Sequence, residues 1–300
     1  DINNDGVAVG WTHPNGGPWS RGLRWDNDGQ VSYLPIPFGG ATTSYGAIGI
    51  NNLGDIVGIK NSNGTNPSGT ILYQDGSIQV VATTPPRNFS DINDFGVVTG
   101  FSPVVAPVRS FVYQEGNFTW TGELPGSDRS SGLHVNNNGQ VLCGSGNNQQ
   151  ACLWKDGSLI DLGIRTSFGA RQSDINELGD VVGNLFNGPA VIRFISGEII
   201  SLPNPEGCGQ VRGWAQGLND DRMVVGKSAQ CDNPNAYRAT LWYGGPNYQA
   251  YDLNNSLPST IDNVYLEEAL KINDKGEILI QGREIDGDYN TTYFVAKPLN

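Results

Sequence analysis

The stretch Asp174-Ile175-Asn176-Glu177-Leu178-Gly179-Asp180-Val181-Val182-Gly183 decides the fold, because near-copies of it run the length of the chain. They begin at Ile2 (INNDGVAVG), Ile50 (INNLGDIVG), Ile92 (INDFGVVTG), Val135 (VNNNGQVLCG), Ile175 (INELGDVVG), Leu218 (LNDDRMVVG) and Ile272 (INDKGEILIQG). Units starting near residues 2, 50, 92, 135, 175, 218 and 272 thus fill residues 1–300 as a single repeat domain. A period of roughly 40 to 50 residues belongs to propellers, solenoids and arrays.

The unit is clearest in the fourth copy. Ser130 to Val135 reads as a strand, Asn136-Asn137-Asn138-Gly139 as a tight turn and Gln140 to Gly144 as a second strand. After a loop, Ala151-Cys152-Leu153-Trp154 forms a third strand, and Lys155-Asp156-Gly157 turns the chain into a fourth, Ser158 to Gly163. Asn-Gly and Asp-Gly between apolar runs are hairpin signals, since these residues accept the positive φ that such turns demand. No stretch carries the apolar 3.6-residue periodicity of a buried helix, and the 41 glycines suit many turns. Radial repetition of such meanders gives a β-propeller, which hides most strand edges. An open β-solenoid is the alternative, although its units are usually shorter and its strands parallel. The sequence therefore predicts an all-β fold, a seven-bladed β-propeller of four-stranded antiparallel meander blades. The seventh unit lacks its fourth strand and the first lacks most of its first. The chain opens inside a copy of the motif at Asp1, so it reads as a processed or partial sequence whose start lies upstream.

The recurring I-N-x-x-G-x-V-V-G, followed by A-x-L-W and D-G, resembles the bacterial extracellular HAF repeat over essentially the whole chain. This resemblance implies an exported repeat protein and says little about chemistry. Two copies depart from the pattern: Arg222 stands where Gly is expected, and Arg193-Phe194 replaces Leu-Trp.

A meander places the first-to-second and third-to-fourth turns at one end of the strands, and the remaining connections at the other. The first kind is short and uniform here. The second varies, as in Trp11 to Ser20, Pro125 to Ser130, Glu206 to Arg212, Ala229 to Ala236 and Ser256 to Glu268. Variable loops on a rigid scaffold are where binding resides, so function is sought at the long-loop end.

Acidic residues outnumber basic ones by 30 to 18, for a formal charge of −12, and no basic cluster interrupts them. Nucleic acid is therefore not an expected partner. No apolar run is long enough for a membrane span. Cys143 and Cys152 face one another about a loop, and Cys208 and Cys231 flank the two strands of the sixth copy. Four cysteines allow three connectivities; symmetry favours Cys143–Cys152 and Cys208–Cys231, which would agree with an extracellular or cell-surface location. Five N-x-[ST] triplets, at Asn63, Asn88, Asn117, Asn254 and Asn290, are glycosylation acceptors only in a suitable host.

Asp1, Asn3 and Asp5 match the opening of a Ca2+ loop, but Thr12 stands where the bidentate acid is wanted. Recurrence of the Asn and Gly favours a hairpin turn. Trp25, Trp154 and Trp242 share one place in the repeat and are expected to pack between blades. Trp11, His13 and Trp19 lie by the first long loop and form a candidate sugar platform. Neither His13 nor His134 belongs to a nucleophile motif. Loop acids such as Glu123, Asp128, Glu206, Glu267 and Glu268 would serve glycoside cleavage if two converged. The expected function is a secreted or cell-surface binding module for glycan or protein, without catalysis. The alternatives are a structural subunit of an extracellular assembly, such as a surface layer or filament, and a propeller glycosidase or lyase.

Overall fold

A computed structural model describes residues 1–13, 20–35, 43–62, 68–81, 87–102, 107–147, 149–166, 173–185, 188–207, 212–258, 261, 263–285 and 291–298. The chain is all-β, with antiparallel sheets, and gathers into two compact units, Asp1–Asp161 and Leu162–Asn300.

In the first unit β1 (Ala8–Thr12), β2 (Arg21–Trp25) and β3 (Val31–Tyr33) form a three-stranded sheet. Two four-stranded meanders follow: β4 (Thr43–Ile50), β5 (Ile56–Ser62), β6 (Ser68–Leu72) and β7 (Ile78–Val81), then β8 (Asn88–Ile92), β9 (Val98–Ser102), β10 (Arg109–Gln114) and β11 (Asn117–Trp120). The next strands in order are β12 (Ser130–Val135), β13 (Val141–Ser145), β14 (Gln150–Lys155) and β15 (Ser158–Arg165), the last of which ends in the second unit. In the second unit the end of β15 pairs with β17 (Val181–Asn184) through Arg165 and Asn184, β18 (Ala190–Arg193) and β19 (Ile199–Ser201) continue that sheet, and β16 (Asp174–Ile175) pairs with β17 off this path. Next come β20 (Gly213–Leu218), β21 (Val224–Ala229), β22 (Tyr237–Tyr243) and β23 (Gln249–Asp252). A 3-10 turn at Leu253–Ser256 leads to β24 (Val264–Ile272), β25 (Ile278–Glu284) and β26 (Thr291–Ala296).

Burial runs in one direction across each sheet. The two inner strands are the deeper ones, as in the wholly buried β12 and in β9, and the fourth is largely exposed, as in β11 and β19. Apolar side chains of successive sheets meet face to face. Val9, Tyr45, Ala47 and Ile56 join the first two sheets, and Val57, Ile71, Phe89 and Phe111 join the second and third. In the second unit Ile192, Ala215, Val224 and Trp242 do the same, followed by Val225, Ala239, Leu266 and Ile280. Inner strands such as β12 and β17, buried on both faces, read as short apolar runs, whereas β4, β25 and β26 alternate between more and less buried residues.

Two features of the motif explain its invariance. The first is a β-bulge that recurs in the first strand at Ile48, Ser90, Leu133, Gln216 and Leu270, each three residues before the motif's Asn. A bulge sharpens local twist and re-aims the residues after it. The second is the Gly of the second strand. A Cβ on Gly58, Gly100 or Gly226 would stand 2.3, 2.0 or 1.9 Å from the first-strand carbonyl oxygen of Gly46, Asn88 or Trp214. Only hydrogen fits there.

Candidate functional site

At the short-turn end the motif's Asn is committed to structure. Asn93 Oδ1 accepts from the backbone N–H groups of Phe95 (3.0 Å) and Val97 (2.9 Å), closing the turn. Its Nδ2 donates 2.9 Å to the carbonyl of Asn136, the same residue one sheet on. Asn3 donates to Asn51 and Asn51 to Asn93 in the same way, each at 3.1 Å. In the second unit Asn176 donates to Asn219 (3.2 Å) and Asn219 to Asn273 (3.1 Å). A parallel ladder uses the next residue. Asn52 N–H donates to Asp94 Oδ1 (2.7 Å), Asp94 N–H to Asn137 Oδ1 (2.8 Å), Glu177 N–H to Asp220 Oδ1 (2.9 Å) and Asp220 N–H to Asp274 Oδ1 (3.0 Å). Burial raises the Asp220 carboxyl above its ordinary value, against the Glu177 hydrogen bond that lowers it, and nearby Asp274, Asp221 and Asp180 push it further up.

The oxygens named for Ca2+ sit in this network. Asn3 Oδ1 accepts from the N–H groups of Asp5 (3.1 Å) and Val7 (3.0 Å), and Asp1 Oδ2 accepts from Ile50 N–H at 3.0 Å. Asp91 and Asp174 repeat the contact of Asp1, to Val135 (3.0 Å) and Leu218 (3.2 Å). Among the described residues no three His, Cys, Asp or Glu side chains are grouped to hold a metal ion.

The departures from the repeat meet one another. Arg222 takes φ 60°, the left-handed conformation held by Gly54, Gly96, Gly179 and Gly276 at the same turn position. Its Nε lies 2.7 Å from Asp180 Oδ2, whose side chain is fully buried, and its guanidinium stands 5.0 Å above the Phe194 ring. The Asp180 hydrogen bond raises the pKa of Arg222 further. Phe194 in place of Trp and Arg222 in place of Gly are thus one local solution spread over two repeats.

At the long-loop end the candidate acids are ion-paired. Glu267 meets Arg283 Nε at 2.8 Å, Glu268 meets Lys227 Nζ at 2.8 Å and also accepts from Gln216, and Glu206 pairs with Arg238. Glu123 lies 3.9 Å from Arg109 and Asp128 lies 3.4 Å from Arg129. Glu206 accepts from Cys231 N–H, which with Arg238 holds its carboxyl below the usual value. Trp11 is 44% exposed and meets His13 edge to face at 5.3 Å, while Trp19 lies outside the described residues. Beside β1 stand the Ile2–Ala8 bridge and hydrogen bonds between Asp1 and Val9 and between Asn3 and Val7. Ile59 and Phe101, which follow the equivalent glycines Gly58 and Gly100, are half-buried. Trp242 is buried, and its Nε1 donates to the Pro203 carbonyl at 2.7 Å. His134 lies on β12 with Nδ1 3.4 Å from Asp91.

Cys143 and Cys152 stand directly opposite in the β13–β14 pair, 4.9 Å apart at Cα, and are joined by a disulfide. Cys231 is also disulfide-bonded; its expected partner, Cys208, lies outside the described residues. The Cys143–Cys152 bond suits an oxidising environment. No described helix is long and apolar enough to cross a membrane.

No family model matches the chain, and neither does any curated protein. Solved structures do match in fold. Virginiamycin B lyase from Staphylococcus aureus superposes with a TM-score of 0.56 at 14% identity, over 99% of this chain and 93% of the lyase. TolB from Acinetobacter baumannii gives 0.51 at 13% identity, over 81% of this chain and 62% of TolB. An acylaminoacyl peptidase from Pyrococcus horikoshii gives 0.56 at 10% identity, over 98% of this chain and 50% of the peptidase. The fold is therefore of the β-propeller kind. At these identities the likeness extends to fold alone, and the chain spans less than two thirds of TolB and half of the peptidase.

Sequence reasoning found the turn motif and the Cys143–Cys152 pair. It missed the inter-sheet ladders, the recurrent bulge and four cations seated over aromatic rings. The ladders had a visible signal: Asn precedes an Asn, Asp or Glu in every copy.

Proposed function

We propose that the repeats form a seven-bladed β-propeller of the HAF-repeat kind, which works outside the cell as a non-catalytic binding module for a glycan or a protein. Binding is assigned to the long-loop end. The observation that carries this reading is how the charged groups are used. Each named acid at that end is neutralised by a cation of its own chain, whereas the aromatic rings of Trp11 and Trp120 remain 44% and 41% exposed. Paired carboxylates favour shape and recognition over proton transfer, and half-exposed indoles offer flat apolar faces to sugars or side chains. The test is to present the purified chain to a glycan array and to extracellular protein fractions, while assaying the same glycans for cleavage. Saturable binding without turnover is expected; turnover that disappears when Glu267 or Glu268 is changed to Gln would replace this reading with an enzyme.

A second reading rests on β26. It borders its sheet, and its Tyr293 and Val295 are exposed. Such an edge accepts a further strand, as a subunit of an extracellular assembly requires. Light scattering across a concentration series separates the two: growth in mass that Val295→Lys suppresses supports assembly, and a constant monomer mass excludes it.

A further inference from the structure

Four cations among the described residues sit over aromatic rings, and three of them also hold a carboxylate. Arg222 stands over Phe194 and pairs with Asp180. Lys227 stands over Trp214 and Tyr237 and pairs with Glu268. Arg283 stands over Tyr265 and pairs with Glu267. Arg87 is the exception. Its guanidinium carbon lies 3.7 Å from the Phe118 ring centroid, 5.1 Å from that of Trp120 and 5.8 Å from that of Phe111. It forms no ion pair with any described carboxylate, unlike Arg222, Lys227 and Arg283.

The fold brings these groups together at the long-loop end of the third sheet. Arg87 directly precedes β8, and Trp120 is the last residue of β11. In the β10–β11 register Trp120 faces Phe111 and Phe118 faces Tyr113, so the rings project from one side of the pair. Phe111, Phe118 and Tyr113 pack tightly, with Phe111–Phe118 centroids 5.2 Å apart and Tyr113–Phe118 4.7 Å apart. The guanidinium is therefore held against a fixed aromatic floor, and the Trp120 indole beside it stays partly open to solvent.

We infer that Arg87 and Trp120 form a subsite for a glycan bearing a single uronic acid, with the sugar carboxylate taking the place that an internal carboxylate fills at the other three cations. A stacked guanidinium presents its N–H fork to a carboxylate in fixed geometry, and an indole offers a surface for the C–H face of a sugar ring. A ring-stacked cation paired with no described carboxylate, in a chain of net charge −12, suits a ligand with one carboxylate on an otherwise neutral ring better than a peptide with several. This inference rests on the glycan form of the proposed function and names its ligand class.

The test is calorimetric titration of the whole chain with xylotetraose, with xylotetraose carrying one glucuronic acid branch, and with a peptide containing one Glu. The branched sugar is expected to bind more tightly than the plain one. Arg87→Met, which keeps the apolar stem, should weaken it about tenfold or more and remove its preference over the plain sugar. Trp120→Ala should weaken both. Should Arg87→Met unfold, free glucuronate must compete with the branched sugar on the wild-type chain, more weakly as salt rises; absence of competition overturns the inference. Equal affinity of a folded Arg87→Met chain overturns it too, as does Arg87-dependent binding of the peptide alone. Binding of other glycans without preference for the branch ends this inference and leaves the proposed function standing. Failure to bind any glycan or protein ends both.

Discussion

Changing Asn93 to Ala tests whether the inter-sheet ladder holds the repeat together. The side chain is buried and makes three hydrogen bonds: it accepts from Phe95 and Val97 and donates to Asn136. Truncation leaves the Val97 N–H without this partner, whereas the Asn136 carbonyl keeps the Gly139 N–H at 3.1 Å. A typical net contribution is about 1 kcal/mol per bond, rising to about 1–3 kcal/mol where a buried partner is stranded. The expected loss is therefore about 2–4 kcal/mol. Asn52→Ala is the control, since Asn52 is exposed and its contacts with Asn4 N–H and Asp94 can be replaced by water. Its cost should stay near 0.5 kcal/mol, roughly the range of ordinary surface changes. Urea unfolding followed by tryptophan fluorescence measures both, read as a shift in midpoint at constant slope. If Asn93→Ala loses less than about 1 kcal/mol, or no more than Asn52→Ala, the ladder is not a principal tie between sheets and the argument fails.

The second-strand glycine gives a steric test: Gly100→Ala places a methyl 2.0 Å from the Asn88 carbonyl oxygen, whereas Gly10→Ala meets only the Trp25 ring at 3.4 Å. Gly100→Ala should abolish or severely impair folding and Gly10→Ala should not, as judged by soluble yield and circular dichroism. Removing the Cys143–Cys152 bond, by Cys143→Ser with Cys152→Ser, should lower stability by about 2–3 kcal/mol for so short a loop, and thermal scans against the parent will show it. Asp220 offers a pH test. Its folded pKa lies above the ordinary carboxylate value of 3.8, so its favourable contribution is complete below that value and is lost as pH rises through the folded pKa. Asp220→Asn, which mimics Asn52 and Asn137 in the other ladder, should therefore be more stable than the parent at pH 7 and show no advantage at pH 3. The gain should be below about 1 kcal/mol because water screens this half-open site, and an unchanged difference across that range refutes the assignment. Arg222→Gly relieves a left-handed backbone but strands the buried Asp180 carboxylate. A net loss of about 1–2 kcal/mol is expected from the same unfolding assay.

What could be read from sequence was set by local chemistry. Asn-x-x-Gly turns between apolar runs carry their own conformational demand, so hairpins and antiparallel order were legible from Ile2 to Gly282. The bulges were not, because the extra residue follows no one chemistry: Ile48, Leu133 and Leu270 are aliphatic, whereas Ser90 and Gln216 are polar. Their effect is geometric and appears only when strands pair. The same limit applied to the loop acids. Glu267 and Glu268 are adjacent in sequence, yet a second bulge in β24 falls between Leu266 and Glu268, and the two acids meet Arg283 and Lys227 from different strands. No spacing rule would foretell that each is neutralised.

In a set of related units, a side chain that breaks the pattern can be judged against its counterparts. Arg222 breaks it and is answered by Phe194 and Asp180 of the preceding repeat. Lys227 and Arg283, both on second strands that elsewhere carry Ile59 or Phe101, are answered by Glu268 and Glu267. Arg87 has aromatic rings beneath it and no such answer. Where every comparable charge has been matched from within, a charge matched only by rings is the place at which an external carboxylate adds an interaction without first displacing an internal one.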